Sequence, residues 1–211
     1  MGLLNILNGT EDALSKPVLN CKVGYMKING KSKVDIRKEI SRITKRFTAA
    51  DLYRFSDEVI TTLQLTSAFQ QAHCILAYYS LNDEVNTHAL LQDYCLEKRF
   101  ILPIVDGDEL LLKEFRDTQQ MKKGALGIFE PIGNVFTDLD LIDLIIVPGR
   151  AFDRKLNRIG RGKGYYDRLL SQLSCPKVGI CFDFQLFDDI PFEDWDIKMD
   201  MVVTQNEIVI G

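Results

Sequence analysis

The sequence contains few of the residues from which metal and disulfide sites are commonly built. Its two histidines, His73 and His88, are far apart and lack the spacing of a metal-binding pair. Its five cysteines are odd in number and include no C-x-x-C pair, so neither a zinc site nor a disulfide framework is predicted. We therefore expect both histidines to be structural or exposed, and the protein to work in the reducing cytoplasm.

Long apolar runs and a strong charge of either sign are also missing. No stretch approaches the roughly 20 apolar residues that span a bilayer, and residues 1–8 lack the basic leader of a signal peptide. A net charge of -4 argues against broad nucleic-acid binding. No G-x-S-x-G elbow recommends a serine hydrolase, although a dispersed Ser-His-Asp arrangement stays open. We expect a globular enzyme, monomeric, that acts on small molecules and binds neither nucleic acid nor membrane.

The most informative stretch of the chain is residues 143–170, DLIIVPGRAFDRKLNRIGRGKGYYDRLL. It begins with an apolar, β-branched run typical of a strand that is covered on both faces. Pro148 and Gly149 end that strand, since proline cannot donate to the ladder and glycine permits a sharp turn. Three alternating glycines and basic residues then precede the start of a helix. This order predicts a phosphate site, because backbone N–H groups, cationic side chains and a helix N-terminus all attract anions.

Three other interpretations of that loop agree less well with its residues. A short basic cluster is often only a solvated charge run, but three alternating glycines between a strand and a helix make this less probable. The loop is not a Walker A motif, because Gly164 follows Lys163 where Ser or Thr would be needed. Nor is it a dinucleotide fingerprint, because its third glycine comes too soon. Asp167, in the first turn of the predicted helix, is a candidate metal ligand.

Alternation of strand and helix patterns predicts the fold class. We expect a single-domain three-layer α/β/α sandwich with a largely parallel sheet, whose ligand lies at the carboxyl ends of the strands. Helices are predicted at residues 34–47, 50–69, 87–98 and 165–173, and strands at 74–79, 100–105, 109–115, 141–147 and 177–181.

VPGRAFD followed by NRIGRGKGYYD resembles the signature of the 5-formyltetrahydrofolate cyclo-ligases, also called 5,10-methenyltetrahydrofolate synthetases. Four further segments resemble this family in the same order, at residues 33–37, 78–87, 127–131 and 196–200, so the resemblance covers about residues 31–204. One departure is Leu156, where the family usually has glycine. Residues 1–25 do not resemble the family, and we expect them to be an extension outside a domain of residues 26–211.

The resemblance implies a reaction and its site residues. ATP would phosphorylate the formyl oxygen of 5-formyltetrahydrofolate, N10 would close on the activated carbon, and 5,10-methenyltetrahydrofolate, ADP and phosphate would be released. Arg161 and Lys163 would stabilise the transferring phosphoryl group, and Asp167 and Asp200 would bind Mg²⁺. ATP would be contacted by Lys33, Arg37, Arg158, Gly160, Arg161, Gly162, Lys163, Gly164, Tyr165 and Tyr166. Folate would be contacted by Tyr79, Glu84, Arg161, Gly162, Lys163, Gly164 and Tyr165.

Without the resemblance, several of these residues have ordinary structural interpretations. Lys33 and Arg37 have the spacing of a solvated helix face, and Glu84 could be part of a polar loop. Tyr165 and Tyr166 could cover the core, and Asp200 could be a cap. Two other functions also stay open, namely a family-like binding protein without cyclo-ligase activity and a phosphotransferase that acts on another acceptor.

Overall fold

The computed structural model describes residues 30–107, 109–124 and 129–211; the proposed extension of residues 1–25 lies outside them. The helices are α1 Lys33–Thr44, α2 Ala49–Gln64, α3 Ser67–Gln71, α4 His88–Tyr94 and α5 Tyr165–Leu170. The strands are β1 Cys74–Leu76, β2 Arg99–Asp106, β3 Glu109–Phe115, β4 Met121–Lys123, β5 Phe129–Pro131, β6 Leu144–Val147, β7 Ala151–Asp153, β8 Arg158–Ile159, β9 Lys177–Ile180, β10 Leu186–Phe187, β11 Met201–Val203 and β12 Ile208–Ile210.

A seven-stranded sheet, in the order β12-β11-β9-β6-β1-β2-β3, forms the centre of the structure. Its five inner strands are parallel, and only the edge strands β12 and β3 are antiparallel to their neighbours. Strands β10, β7 and β8 form a small second sheet, and β4 pairs with β5. The predicted largely parallel α/β fold is therefore confirmed.

Apolar residues cover the central sheet on both faces. Along β6, Leu144 and Ile146 belong to one buried cluster, whereas Ile145 and Val147 belong to the other. This alternation follows from the two-residue period of a strand, and it explains why a doubly covered strand reads as an unbroken apolar run. Helices α1, α2 and α4 contribute to the first cluster and α5 to the second, which gives the three layers.

Capping residues define the beginnings of the first two helices. Ser32 and Asp35 form a reciprocal capping box at α1, and Thr48 and Asp51 do the same at α2. The predicted helix at 50–69 is wrong at its end, since two helices occupy this stretch. Thr66 accepts a hydrogen bond from the Phe69 N–H, at 3.2 Å, and so begins α3 as a separate helix.

The strand that was predicted at residues 141–147 begins later, at Leu144. Leu139–Leu141 form a 3-10 turn, and the Asp143 carboxylate accepts hydrogen bonds from the backbone N–H groups of His73 and Cys74. Short strands on either side of Leu156, β7 and β8, were not predicted, because two- and three-residue strands carry no periodic signal. Within the described part of the chain, no helix has the length and apolar character needed to cross a membrane.

Candidate active site

A cavity of about 520 Å³ opens at the carboxyl ends of β1 and β6. Its volume is within the usual range for a small-molecule site, and its position is the one expected for a ligand in a parallel sheet. Its lining combines cationic, carboxylate and aromatic side chains, which in sequence order are Lys33, Arg37, Tyr78, Tyr79, Glu84, Phe129, Arg158, Arg161, Lys163, Tyr165, Tyr166, Asp167 and Asp196. The sequence-predicted site residues are thus brought together, with the exception of Asp200.

The glycine loop connects β8 to α5 and supplies one wall of this cavity. Gly162 and Gly164 have φ values of 98° and 68°, which side chains rarely adopt. Gly164 is also the N-cap of α5, so its left-handed conformation directs the loop into the helix. At Gly162 an added Cβ would lie 3.3 Å from the Arg37 guanidinium carbon. The glycines therefore serve both the turn geometry and the close approach of a cation.

Arg158 and Asp167 are paired at the base of the loop. Arg158 is 5% exposed, and its Nη2 donates to Asp167 Oδ1 at 2.6 Å. Its guanidinium carbon also lies 5.6 Å from the centre of the Tyr166 ring. This pairing fixes the Asp167 side chain in the first turn of α5, at the cavity wall.

Two basic residues of α1 face the same cavity. Lys33 and Arg37 are four residues apart and so lie on one side of the helix, beside the buried Ile36 and Ile40. Arg37 Nε donates to the Gly160 carbonyl at 2.7 Å, which ties α1 to the glycine loop. Lys33 Nζ lies 2.5 Å from Asp196 Oδ2 and 2.6 Å from Glu193 Oε2.

Asp196, and not Asp200, is the carboxylate of the matched 196–200 segment that lines the cavity. Asp200 immediately precedes β11, at the amino end of a parallel strand. Its Oδ2 accepts the Lys177 N–H at 2.8 Å, and its own N–H donates to the Lys177 carbonyl. The predicted pairing of Asp167 with Asp200 at one metal does not fit this position. A residue just before a parallel strand lies away from the ligand end of the sheet, and the direction of β11 is known only from the structure.

Glu84 and Arg161 are in direct contact. Glu84 Oε1 accepts from Arg161 Nε at 2.9 Å, and Oε2 accepts the Leu81 N–H at the same distance. Arg161 Nη2 also donates to Asp83, and Asp83 is bonded on its other oxygen to Arg150. Burial alone would raise the pKa of the Asp83 carboxyl, but hydrogen bonding and charge from Arg161 and Arg150 reverse this and hold its pKa below the usual value.

Aromatic side chains form another part of the wall. Tyr79 stacks on His88 with ring centroids 3.8 Å apart, and its centroid lies 6.3 Å from that of Phe129. His88 Nε2 lies 3.1 Å from the Ser80 carbonyl oxygen. A carbonyl only accepts, so Nε2 carries the hydrogen, and burial lowers the pKa of the ring, which favours its neutral form. Tyr78 is buried and donates its hydroxyl to the Val85 carbonyl at 3.0 Å.

The remaining predicted residues surround the start of α5. Tyr165 donates its hydroxyl to the Gly107 carbonyl at 3.0 Å. The Tyr166 hydroxyl is buried and has no hydrogen-bond partner among the described residues, and burial raises its pKa. Lys163 is exposed at the cavity rim. The two tyrosines thus have different surroundings, although they are neighbours in the sequence and no local pattern distinguishes them.

Carboxylates at the cavity provide oxygen ligands that suit Mg²⁺. Asp167 and Asp196 both line the wall, and the Arg158 bond engages only Oδ1 of Asp167. Over the described ranges there is no group of three or more His, Cys, Asp or Glu side chains arranged for a metal ion. Mg²⁺ is usually held by one or two carboxylates together with substrate phosphates, so this donor set fits the metal.

Several site residues were not predicted from the sequence. Asp83, Arg150, Phe129, Asp196 and His88 all contact the cavity or a residue that lines it. Asp83 adjoins Glu84 within the 78–87 segment, and Asp196 begins the 196–200 segment, so both were within reach of the motif argument. Arg150 and His88 act only through tertiary contacts, which no local pattern reveals.

Comparison with known proteins gives a consistent result. The profile of the 5-formyltetrahydrofolate cyclo-ligase family matches residues 29–205. A 5-formyltetrahydrofolate cyclo-ligase from Haemophilus influenzae is 32% identical over 181 residues, which cover 82% of this chain and 97% of the relative. A mouse protein of the same name is 25% identical and covers 83% of this chain and 94% of the relative.

A solved structure agrees with these relatives. The NMR structure of Aquifex aeolicus 5,10-methenyltetrahydrofolate synthetase has a TM-score of 0.76 and 34% identity, and the match covers 84% of this chain and 92% of that one. The family match, at residues 29–205, includes every residue that lines the cavity. The chain belongs to the 5-formyltetrahydrofolate cyclo-ligase family.

Proposed function

We propose that this protein converts 5-formyltetrahydrofolate to 5,10-methenyltetrahydrofolate at the expense of ATP. The single observation that carries the assignment is the composition of one cavity, in which a basic glycine loop and a group of aromatic rings lie within about 520 Å³. The loop suits the phosphates of a nucleotide, and the rings suit a flat heterocycle such as a pterin. Membership of the family connects these two surfaces to one reaction.

The nucleotide phosphates are proposed to lie against the glycine loop. Arg37 and the loop are joined by the hydrogen bond to Gly160, so the cations of α1 and of the loop act on the same ligand. By resemblance, ATP contacts include Lys33, Arg37, Arg158, Gly160, Arg161, Gly162, Lys163, Gly164, Tyr165 and Tyr166. Arg161 and Lys163 are the proposed stabilisers of charge on the transferring phosphoryl group, which needs positioning and charge neutralisation more than a covalent nucleophile.

The folate is proposed to lie against Tyr79, Glu84 and the adjoining part of the glycine loop, residues 161–165. A carboxylate such as Glu84 can accept hydrogen bonds from pterin N–H groups, and Tyr79 offers a ring face for stacking. In the proposed reaction the formyl oxygen attacks the terminal phosphorus of ATP and ADP leaves. N10 then attacks the activated carbon and loses its proton, and the carbon–oxygen bond breaks as phosphate leaves. Both steps would join atoms of substrates that are bound side by side in the cavity, and such orientation lowers a reaction barrier.

Mg²⁺ is the proposed cofactor, with Asp167 and Asp196 as its protein contacts. When bound, the ion would neutralise charge on the nucleotide phosphates. Arg158 orients Asp167 through the 2.6 Å bond, and Lys33 orients Asp196 through the 2.5 Å contact. Asp200, which the resemblance suggested, is replaced by Asp196 in this proposal because of its place at the amino end of β11.

The cellular setting is proposed to be the cytoplasm, with the protein acting as a monomer. The four described cysteines, Cys74, Cys95, Cys175 and Cys181, are all free, which supports a reducing compartment. Size-exclusion chromatography with light scattering tests the monomer, and a stable dimer mass would contradict it.

The test of the reaction is an absorbance assay of methenyltetrahydrofolate formation. Purified protein is mixed with 5-formyltetrahydrofolate, Mg²⁺ and ATP, and the control omits ATP. We expect an ATP-dependent rise. A folded protein that binds ADP but gives no rise would favour a family-like binding protein or a phosphotransferase with another acceptor.

A further inference from the structure

Asp83 lies between two guanidinium groups. Its Oδ2 accepts a hydrogen bond from Arg150 Nη1, and its Oδ1 accepts one from Arg161 Nη2. The Arg150 side chain is 5% exposed, whereas that of Arg161 is 43% exposed and faces the cavity. One carboxylate therefore connects a buried arginine to the arginine that was assigned to the transferring phosphoryl group.

Arg150 is held firmly at its own position. Its Nη2 donates to Ser41 Oγ at 2.8 Å, on α1. Its backbone N–H donates to the Ile159 carbonyl at 2.7 Å, and its carbonyl accepts from Gln185 Nε2 at 3.2 Å. A residue fixed by side chain and backbone alike gives Asp83 a rigid partner.

The two carboxylates next to Arg161 determine where its guanidinium points. Nε donates to Glu84 and Nη2 to Asp83. A guanidinium is planar, so fixing these two nitrogens also fixes the direction of Nη1. Nη1 has no hydrogen bond to any of the residues that the structure describes, and it is the nitrogen that remains to meet a ligand oxygen.

Charge balance gives Arg150 a second effect. Asp83 and Glu84 together carry two negative charges, and Arg150 and Arg161 carry two positive charges, so the cluster is neutral. Without Arg150, the two carboxylates would outweigh Arg161 and leave a negative cluster beside the phosphate loop. A negative cluster would repel the nucleotide that Arg161 is proposed to attract.

We propose that Arg150 is a positioning residue that acts on Arg161 through Asp83, both by orienting the shared carboxylate and by balancing its charge. Arg150 contacts no ligand itself in this arrangement. The proposal rests on the proposed function, since it assumes that nucleotide phosphates bind beside Arg161.

Binding of ADP and steady-state turnover test it in four proteins: wild type, Arg150→Met, Asp83→Asn and the double variant. Arg150→Met makes the cluster negative, and we expect ADP affinity to fall by roughly fivefold. Asp83→Asn makes it positive, so we expect affinity to be unchanged or tighter while kcat falls, because Arg161 loses its orientation. The double variant is neutral again, so its affinity should return to near the wild-type value while kcat stays low.

A purely structural role would give another pattern. Both single variants would then lower affinity in the same direction, and the losses would add in the double variant; this result would overturn the proposal. If Arg150→Met does not fold, Arg150→Lys replaces it. Lysine keeps the charge but cannot bond Ser41 and Asp83 as a fork, so ADP affinity should be kept and kcat reduced. If Arg150→Lys lowered ADP affinity and kcat by equal factors, the proposal would also be overturned.

The exposed pair Lys155–Asp189 provides matched controls, with an Nζ–Oδ1 distance of 2.9 Å and side chains 62% and 63% exposed. Lys155→Met and Asp189→Asn change the net charge by the same amounts outside the cavity. We expect less than about a twofold change in ADP affinity for each, given screening at the surface. If these control variants changed ADP affinity as much as Arg150→Met and Asp83→Asn do, the local charge argument would be overturned. A wild-type protein that binds no ADP would overturn the proposed function as well.

Discussion

Tyr79 and His88 form a stacked pair, with ring centroids 3.8 Å apart and planes inclined by 17°. Of the two, only Tyr79 lines the cavity, and His88 stacks against the Tyr79 ring. The histidine is itself fixed by the Ser80 carbonyl and by the Asn86 side chain, which accepts the His88 N–H at 2.9 Å. A histidine that no local pattern marked as functional therefore fixes the ring that is proposed to face folate.

Replacing His88 should affect folate more than ATP. His88→Ala removes the support behind Tyr79, and we expect KM for 5-formyltetrahydrofolate to rise by roughly three- to tenfold, since aromatic pairs contribute about 0.5–1.5 kcal/mol. KM for ATP should stay within about twofold. Steady-state kinetics with each substrate varied in turn measures this.

His88→Phe is the matched control for that experiment, because it keeps a flat ring but loses the Ser80 hydrogen bond. It should recover most of the loss in folate KM. Equal increases in both KM values for His88→Ala would show that the whole cavity has changed, and would contradict a role at Tyr79.

Arg161→Ala and Lys163→Ala should each lower kcat by roughly 100-fold, as loss of one preorganised stabiliser of developing charge does. The measurement is turnover at saturating substrates, in the absorbance assay. Lys155→Ala, at an exposed ion pair, is the cationic control and should leave kcat unchanged. Near-normal turnover in both cavity variants would refute the assigned roles.

Asparagine substitutions separate the two aspartates of the 196–200 segment. Asp196→Asn should raise the Mg²⁺ concentration needed for half-maximal turnover at least about tenfold, because it removes a proposed metal contact. Asp200→Asn should leave that concentration unchanged and lower the free energy of unfolding by about 1 kcal/mol, because its carboxylate bonds the Lys177 N–H. If only Asp200→Asn changed the Mg²⁺ requirement, Asp200 and not Asp196 would be the metal contact.

Leu156 has a φ of 68°, in the left-handed region that favours glycine. It is also 7% exposed and packs into the core, so the burial of its side chain opposes the strain of its backbone. Leu156→Ala should lose about 2–4 kcal/mol of unfolding free energy, because it loses the packing and keeps the strain. Leu156→Gly should lose about 1 kcal/mol less, since glycine accepts this conformation.

Thermal and urea unfolding of these variants test that order. Ile40, which is buried in the interior of α1, is the control position. There glycine should be worse than alanine, as in any helix interior. If glycine were also worse than alanine at position 156, backbone strain at Leu156 would be refuted.

Local features of the chain predicted much of this site. Three features can be recognised from neighbouring residues alone: the apolar run of β6, the break at Pro148 and the alternating glycines. Together they predicted the position of the phosphate loop. The pairing of Arg150 with Asp83 was not readable, because it joins residues 67 positions apart. From the sequence alone, an arginine after a Pro-Gly break is predicted to be exposed, since arginine is seldom buried without a partner.

The boundaries of helices and strands were also predicted imperfectly, because local patterns do not show every contact that ends an element. The periodicity of residues 50–69 continues through Thr66, and only its hydroxyl, by capping a new helix, divides the segment. Asp200 was selected on motif position, whereas its place before a parallel strand, known only once β11 is seen, directs it away from the cavity.

The ion pairs of Lys33 with Glu193 and Asp196 have a consequence for synthesis of the protein. They join the first described helix to residues that lie 160 and 163 positions later in the sequence. A chain emerging from the ribosome presents α1 early, but it cannot complete this wall of the cavity until Asp196 has left the exit tunnel. Ligand binding can therefore stabilise the folded protein, but it cannot assist folding before Asp196 has been synthesised.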